Sequence, residues 1–321
     1  MVAPAALALI YPALLTSLMR ANYTVFPNEE GVPYLIKIDN TPLTLEERSA
    51  LAANVNEITF TLFTRNNRQN GHVLKLNDIN SVRGSQWGAN KPTILVAHGW
   101  KSSGTSSACT LIRDAFLKAL DCNVVVIDWS SIAHNIAYSV VAKSVPDVAA
   151  HVASFVNFLR SKAGLNPSNT KLIGHSLGAH VASLSARLVS NVAEVIALDP
   201  AKPMFQNKES NNRVDSSHAK NVQVIHTCAG LLGMDTSVGT SDFFANGGRN
   251  QPGCNNDLLG ACAHGRSYEY YSESITNPRG FLGTPKNGGL KVYMGGPTLS
   301  SSARGTYDFK TRSQPPYAVG G

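Results

Sequence analysis

Two apolar runs predict buried strands in the middle of the chain. Thr93–Ala97 (TILVA) and Asn123–Ile127 (NVVVI) are apolar and mostly β-branched, which is typical of strands covered on both faces. Between them, the apolar positions of Cys109–Leu120 recur at helical spacing. These three segments predict a strand–helix–strand unit.

The same alternation continues toward the C-terminus. Pro146–Ala163 and Val181–Val189 show helical spacing, and the short runs Thr170–Gly174, Val195–Leu198 and Val222–Thr227 predict strands. Repeated strand–helix alternation is typical of a mostly parallel sheet with helices on both faces. The sequence therefore predicts one α/β domain.

Two further strands are predicted at the margins of this sheet. Asn56–Thr64 alternates and predicts an antiparallel edge strand, and Lys291–Met294 predicts a last strand. In a parallel sheet, functional groups collect beyond the carboxyl ends of the strands. Polar and glycine residues occupy several of those ends: His98-Gly99-Trp100, Asp128, Gly174-His175-Ser176 and Asp199.

Composition favours a large globular domain that leaves the cell. Of the 321 residues, 43% are hydrophobic and 15% charged, which is enough apolar material for a core. The apolar residues 1–21 predict a secretory signal peptide, which leaves 22–321 as the domain. A glycosylation sequon follows at Asn22-Tyr23-Thr24. We expect a secreted, extracellular protein.

The net charge of +7 comes from scattered basic residues. Nucleic-acid binding needs clustered basic residues and a recognisable motif, so no nucleic-acid partner is predicted. The basic balance is compatible with attraction to anionic lipid headgroups or sulfated polysaccharide. The sequence does not indicate the oligomeric state.

Five cysteines lack the spacing of a zinc site. Two pairs that are close in sequence, Cys109–Cys122 and Cys254–Cys262, are predicted to form local disulfides. Cys228 is then left over and is expected to be a buried thiol.

One short segment carries candidate chemistry. Gly174-His175-Ser176-Leu177-Gly178 fits G-x-S-x-G between a predicted strand and a predicted helix. In that pattern the serine lies on a tight, strained turn, and the two glycines leave room for it. Ser176 is the predicted nucleophile, and it needs a base to take its proton.

Neither neighbouring histidine is expected to be that base. His175 should point away from Ser176 at the end of the strand. His180 lies in the following helix, where a packing or capping role is expected. The base needs a position from which it can reach the serine oxygen, and a carboxylate behind it to fix its tautomer.

The predicted carboxylate is Asp199, which follows the strand Val195–Leu198. Asp128 is the alternative, also at a strand end. In α/β-hydrolases the chain order is serine, acid, histidine, which favours Asp199 because Asp128 precedes the serine. Asp128 is then expected to be structural.

The predicted base is His264. Of the later histidines, His218 lies in a polar segment and is expected to be exposed, and His226 lies inside a predicted strand. His264 is expected in a loop tethered by the Cys254–Cys262 bridge, from which it could reach over the sheet.

Two backbone N–H groups are expected to bind the oxyanion that forms on attack. One belongs to Leu177, the residue after the nucleophile, and the other to Trp100 in the loop after an earlier strand. The Trp100 side chain also offers an apolar wall beside an acyl chain.

Together these motifs resemble the animal pancreatic-lipase family, including insect lipases and A1-type phospholipases. The resemblance runs from roughly residue 55 to 275 and is carried by TILVAHGW, NVVVIDW, LIGHSLGAHVA, ALDPAKPMF, VIHT, DFFANGG, QPGC and CAHGRSYEYY. It implies an α/β-hydrolase fold, secretion and hydrolysis of lipid esters at a membrane, micelle or emulsion surface. By motif it assigns Ser176, Asp199 and His264 to the triad, and Trp100 and Leu177 to the oxyanion hole.

The resemblance also places a lid between Cys254 and Cys262. The expected lid and substrate-access residues are Asn255, Asn256, Asp257, Leu258, Leu259, Gly260 and Ala261. Within the family such a short lid looks more like phospholipases and galactolipases than strict triacylglycerol lipases.

Two other features of the family are not expected here. The chain ends too soon after His264 for the C-terminal β-sandwich domain, so no colipase-like partner is implied. Where pancreatic members hold calcium, Arg213 and Asp215 match, but Ser210 and His218 replace expected carboxylates. Because calcium wants several oxygen ligands, no metal or other cofactor is predicted.

The leading hypothesis is a secreted lipid acyl-ester hydrolase acting on phospholipid or triacylglycerol through a Ser-Asp-His triad. The alternative is a catalytically silent lipid-binding or yolk-type storage protein on the same fold, since fold alone does not establish activity.

Overall fold

The computed structural model describes residues 22–320, so the predicted signal peptide at 1–21 lies outside the described residues. A separate two-stranded antiparallel hairpin, Tyr23–Pro27 (β1) and Pro33–Lys37 (β2), comes first. The other strands are Thr59–Phe63 (β3), His72–Leu74 (β4), Thr93–Ala97 (β5), Asn123–Asp128 (β6), Thr170–His175 (β7), Glu194–Leu198 (β8), Asn221–His226 (β9), Ser241–Ala245 (β10), Leu282–Pro285 (β11), Val292–Tyr293 (β12) and Gly305–Phe309 (β13).

Helices connect most of these strands. They are Leu45–Val55 (α1), Ile79–Arg83 (α2), Ser107–Ala119 (α3), Ser130–Ala133 (α4), Tyr138–Lys162 (α5), Leu177–Val189 (α6) and Ala261–Thr276 (α7). Short 3-10 turns lie at Pro167–Asn169, Ser210–Asn212 and Ser216–His218. Within residues 22–320, no helix has both the length and the apolar character that crossing a bilayer requires.

The main sheet has eleven strands in the order β12-β11-β13-β10-β9-β8-β7-β5-β6-β3-β4. Strands β6, β5, β7, β8, β9, β10 and β13 run parallel to one another. Strand β3 pairs antiparallel with β6, as predicted, but it is not the edge, because β4 pairs with its other side. The predicted mostly parallel sheet is confirmed.

Alternate residues of the central strands pack into two hydrophobic cores, one on each face of the sheet. Leu95 and Val125 pack on the face covered by α5 and α6. Their neighbours Ile94 and Val124 pack on the other face, with α3 and α7. Burial on both faces explains why these strands are continuous β-branched runs rather than alternating ones.

Helix α5 begins earlier than predicted. The sequence places its start at Pro146, a residue suited to the first turn of a helix, but the helix already begins at Tyr138. Val141 and Val145 are fully buried in the first core, so packing holds the helix through the proline. The other predicted helices and strands agree with the structure to within a few residues.

The predicted Cys109–Cys122 disulfide is wrong. Both thiols are free and buried, as is that of Cys228, whereas Cys254 and Cys262 are bridged as predicted. Cys109 lies in the first turn of α3 and Cys122 follows the last, and the Cys122 sulfur lies near the Phe116 carbonyl. Phe116 is seven residues along α3 from Cys109, so at a rise of about 1.5 Å per residue the two cysteines lie about 10 Å apart along the helix, beyond disulfide reach.

Thiol titration tests this correction. After unfolding without reductant, we expect three thiols per chain to react with Ellman's reagent, from Cys109, Cys122 and Cys228. The native protein should react very slowly, because burial raises the pKa of all three thiols, for Cys122 and Cys228 to about 12. A single reactive thiol in the unfolded chain would instead show that Cys109 and Cys122 are bridged.

Candidate active site

The turn between β7 and α6 is built by glycines in backbone contact. A Cβ added to Gly174 would lie 1.9 Å from the Gly178 carbonyl oxygen. A Cβ on Gly178 would lie 2.3 Å from the His98 carbonyl oxygen, at the end of β5. Only residues without a side chain allow the helix to start this close to the sheet.

Ser176 lies at the apex of this turn in a strained conformation. Its φ is 57° and its ψ is −121°, a region that residues other than glycine rarely adopt. Its N–H donates to the Leu198 carbonyl, and its own carbonyl accepts from Ala201. The hydroxyl is buried and has no hydrogen-bond partner among the described residues.

Asp199 and His264 form a buried pair beside this serine. His264 Nδ1 lies 2.6 Å from Asp199 Oδ2, and the Asp199 side chain is fully buried. The other carboxylate oxygen accepts the N–H groups of Thr227 and Cys228. A Cβ on Gly233 would lie 2.4 Å from this carboxylate, so a glycine is required there. The carboxylate fixes the His264 ring with Nε2 free of any partner in the described structure.

The prediction that His264 lies in a loop is wrong. It lies in the first turn of α7, where its N–H donates to the Gly260 carbonyl. Cys262 lies in the first turn of the same helix, so the disulfide closes the loop that precedes the histidine and does not tether a loop that carries it. A helix is a more rigid support for the ring than a loop.

The two histidines that flank Ser176 are both occupied elsewhere. His175 Nε2 donates to the His264 carbonyl, and its ring lies 4.3 Å from that of His264. Burial and the nearby His264 hold the pKa of His175 well below its ordinary value. His180 donates to the Ala201 carbonyl, accepts from the Val214 N–H and stacks on a phenylalanine. Burial lowers the pKa of His180 to about 3, so this ring stays neutral.

The other histidines and the other aspartate that the sequence offered as base or acid also have hydrogen-bond partners in the protein. His226 binds the Met234 carbonyl through Nδ1 and Asp242 through Nε2. Asp128 lies 3.2 Å from His98 Nε2 and accepts the Ser130 N–H. The predicted exposure of His218 is wrong, because its ring is buried.

His218 is buried because it packs under α6. Its Nδ1 shares a hydrogen bond with the Ser183 hydroxyl, which points inward from that helix. The sequence did not indicate this burial, because the polar residues on either side of His218 lie on the outer side of the 3-10 turn Ser216–His218.

Two backbone N–H groups next to Ser176 donate no hydrogen bond in the described structure. One belongs to Leu177, the first residue of α6, whose N–H has no acceptor within the helix. The other belongs to Trp100, whose indole is held separately by the Asn135 carbonyl. A Cβ on Gly99 would lie 2.9 Å from Ser176 Cβ, so the chain leading into Trp100 touches the serine.

A narrow cavity contains both the Ser176 and the His264 side chains. Gly99, Trp100, His175 and Tyr268 also line it. Another wall comes from the N-terminal hairpin, through residues 26–29, and the start of α7 adds Ala261 and Gly265. Sequence reasoning assigned no role to this hairpin. The only signal for it is the alternation in TVFP and PYLIKI around an Asn-Glu-Glu-Gly turn.

The predicted lid lies mostly to one side of this cavity. Of residues 255–261, only Ala261 lines it. Asp257 accepts the N–H groups of Cys262 and Ala263, so it caps the start of α7. Leu258 points outward and is 71% exposed.

The segment compared with a calcium site is held by internal hydrogen bonds. Asp215 caps the 3-10 turn Ser216–His218, and Arg213 donates to the carbonyls of Lys208 and Val214.

Within residues 22–320, one group of three possible metal ligands comes together, Cys254, Asp257 and Cys262. Its two sulfurs are bonded to each other and are not thiolates.

The sheet order and the strained serine turn after a central parallel strand define the class of α/β-hydrolase folds. A family model described as Lipase matches residues 35–288, most of the chain. The chain belongs to the pancreatic-lipase family.

Curated relatives agree with this assignment. Pancreatic lipase-related protein 2 of Cavia porcellus is 36% identical over 233 residues, and the pancreatic triacylglycerol lipase of Homo sapiens is 36% identical over 249 residues. Each match covers 70% of this chain and 53% of the relative, so the chain spans about half the length of these proteins. A solved esterase, PE8, overlaps 43% of this chain and 69% of its own at 20% identity, with a TM-score of 0.33.

The glycine contacts make a direct stability prediction. Gly178→Ala would force a methyl group into the His98 carbonyl at the end of β5, so we expect a loss of about 3 kcal/mol in the free energy of unfolding. Gly320→Ala is the matched control, because the nearest atom to its Cβ lies 3.5 Å away. Urea unfolding measures both. Equal stabilities of the two variants would contradict the close approach of α6 to β5.

Proposed function

We propose that this protein is a secreted hydrolase of lipid acyl esters, with Ser176 as nucleophile, His264 as base and Asp199 as the carboxylate behind it. One observation carries the proposal: the Ser176 hydroxyl and His264 Nε2 are both buried and unpartnered, and both residues line one cavity. An unpartnered buried polar atom is unfavourable, so such atoms collect where a reaction uses them.

The proposed reaction divides ester hydrolysis into two steps. The Ser176 oxygen attacks the ester carbonyl while His264 Nε2 takes its proton, then returns it to the departing alcohol. Water then attacks the acyl-enzyme with the same histidine as base. Asp199 stabilises the imidazolium in both steps through its 2.6 Å contact with Nδ1.

The oxyanion would be bound by the N–H groups of Leu177 and Trp100. Neither donates elsewhere within residues 22–320, which is what a preorganised donor pair requires. The N–H of Leu177 also begins α6, where the partial positive charge of the helix adds to the stabilisation.

The proposed substrates are phospholipids or triacylglycerols. The name of the human relative, a triacylglycerol lipase, favours the second class. The short loop between Cys254 and Cys262 favours the first, as does the net charge of +7 at an anionic surface. The disulfide and the apolar residues 1–21 support secretion.

Removal of the nucleophile tests the proposed reaction. Ser176→Ala should lower kcat on a short-chain soluble ester by about 10⁴-fold or more. Ser183→Ala, a buried serine on the same helix, is the control and should retain activity within a few-fold. If Ser176→Ala kept the activity of the parent protein, the proposed mechanism would fail. If the parent protein itself hydrolysed no ester, the silent lipid-binding alternative would be favoured.

A direct lipid comparison tests the proposed substrates. The purified protein should release fatty acid from a phosphatidylcholine dispersion, a triacylglycerol emulsion or both, with Ser176→Ala as the blank. Rates at matched interfacial area separate the two classes, and a galactolipid dispersion serves as the third sample. Serine-dependent activity on soluble esters alone, with none on any lipid, would refute the lipid assignment.

A further inference from the structure

The N-terminal hairpin β1–β2 packs directly over the candidate triad. Phe26 is only 2% exposed, and its ring meets that of His264 edge-on at 6.0 Å. The same ring contacts Trp100 at 5.9 Å and Tyr138 at 5.3 Å. Phe26 therefore fills apolar space in the cavity that Ser176 lines.

The turn of the hairpin is anchored beside the same site. The Ser102 hydroxyl donates to Glu29 Oε1 over 2.8 Å, and that oxygen lies 3.8 Å from His175 Nδ1. Next to it, a Cβ placed on Gly31 would lie 3.8 Å from the Ala261 Cβ, at the start of α7. The hairpin thus spans the site from the β5 loop to α7.

The covered cavity is too small for any substrate. About 10 Å³ remains between the hairpin and the two candidate catalytic residues, which is room for a single water molecule at most. Ligand sites for small molecules occupy roughly 300–1,000 Å³. A lipid ester cannot reach Ser176 while the hairpin is in this position.

The hairpin contacts the body of the protein through side chains such as Phe26 and Ile36, without joining the main sheet. Among residues 22–320 its two strands pair only with each other and do not join the eleven-stranded sheet. An isolated two-stranded hairpin is marginally stable, so its position depends on side-chain contacts with the body. By contrast, the loop 255–261 is fixed by the disulfide and by the Asp257 cap.

We propose that the β1–β2 hairpin, rather than the loop 255–261, is the element that controls substrate access to Ser176, with Phe26 as its plug. This inference rests on the proposed function. In the closed position no ester fits, and displacement of the hairpin opens the acyl site between Trp100 and His264.

A disulfide tether tests this proposal. In the double variant Gly31→Cys/Ala261→Cys, the Cβ separation of 3.8 Å matches that of natural disulfides, so oxidised glutathione should link the hairpin turn to α7. Because Gly31 has a φ of 79°, where a side chain is strained, the single variant Gly31→Cys controls for the effect of that strain. Peptide mapping must show the 31–261 link and an intact Cys254–Cys262 bridge. We expect the oxidised variant to hydrolyse lipid at least 10-fold more slowly than the same variant after mild reduction.

The parent protein and the single variant Gly31→Cys, treated in the same way, should change less than 2-fold. If the mapped, oxidised tether kept the rate of its reduced form, the hairpin would not control access. If no form hydrolysed any ester, the proposed function would fail, and access would be judged by a measurement that needs no catalysis.

That measurement uses Ser176→Cys as a reporter of access, since the native free cysteines are buried. A bulky maleimide should label Cys at position 176 at least 10-fold faster when Phe26→Ala is added. Val32→Ala, at a residue of the hairpin turn that is 49% exposed, is the control and should leave the rate unchanged. Equal labelling rates with and without Phe26→Ala would contradict the proposal that the Phe26 side chain blocks access to position 176.

Discussion

The backbone contact between Gly178 and the end of β5 fixes the rest of the site. It brings the start of α6 against the sheet, and this forces Ser176 into its strained conformation at the apex. Such strain is worth on the order of 1–3 kcal/mol and persists only where surrounding structure holds it. Here β7 is buried along its whole length, and α6 is buried from Leu177 to Ala186. The start of α6 at this turn leaves the Leu177 N–H without an acceptor in the described structure, and the loop leading into Trp100 lies alongside the serine.

The charged half of the site depends on a second constraint. The Asp199 carboxylate is fully buried, and two backbone N–H groups and His264 together satisfy it. Since Gly233 leaves the space this carboxylate occupies, residues far apart in sequence must fold together before His264 has its orientation. The hairpin then adds Phe26 against the His264 ring, so the candidate catalytic groups and their cover share one packed cluster.

The parts of this molecule that follow from local pattern could be predicted, and those set by tertiary packing could not. Strand β5 matches its predicted bounds because a strand buried on both faces must be apolar at every position. The tight turn at Ser176 is likewise a local steric pattern, set by Gly174 and Gly178. The first turns of α5 were missed because their burial overrides the signal of Pro146. The pairing of Cys109 failed because sequence separation ignores the length of α3, and the hairpin was missed because its role lies in what it covers.

The most direct measurement is the site of covalent modification by a fluorophosphonate, with and without phosphatidylcholine vesicles. We expect one adduct per chain, mapped by mass spectrometry to Ser176, and at least 100-fold slower labelling in His264→Ala. Faster labelling with vesicles would follow from displacement of the hairpin. No adduct under either condition, or an adduct on another residue, would contradict the assignment of Ser176 as an activated nucleophile.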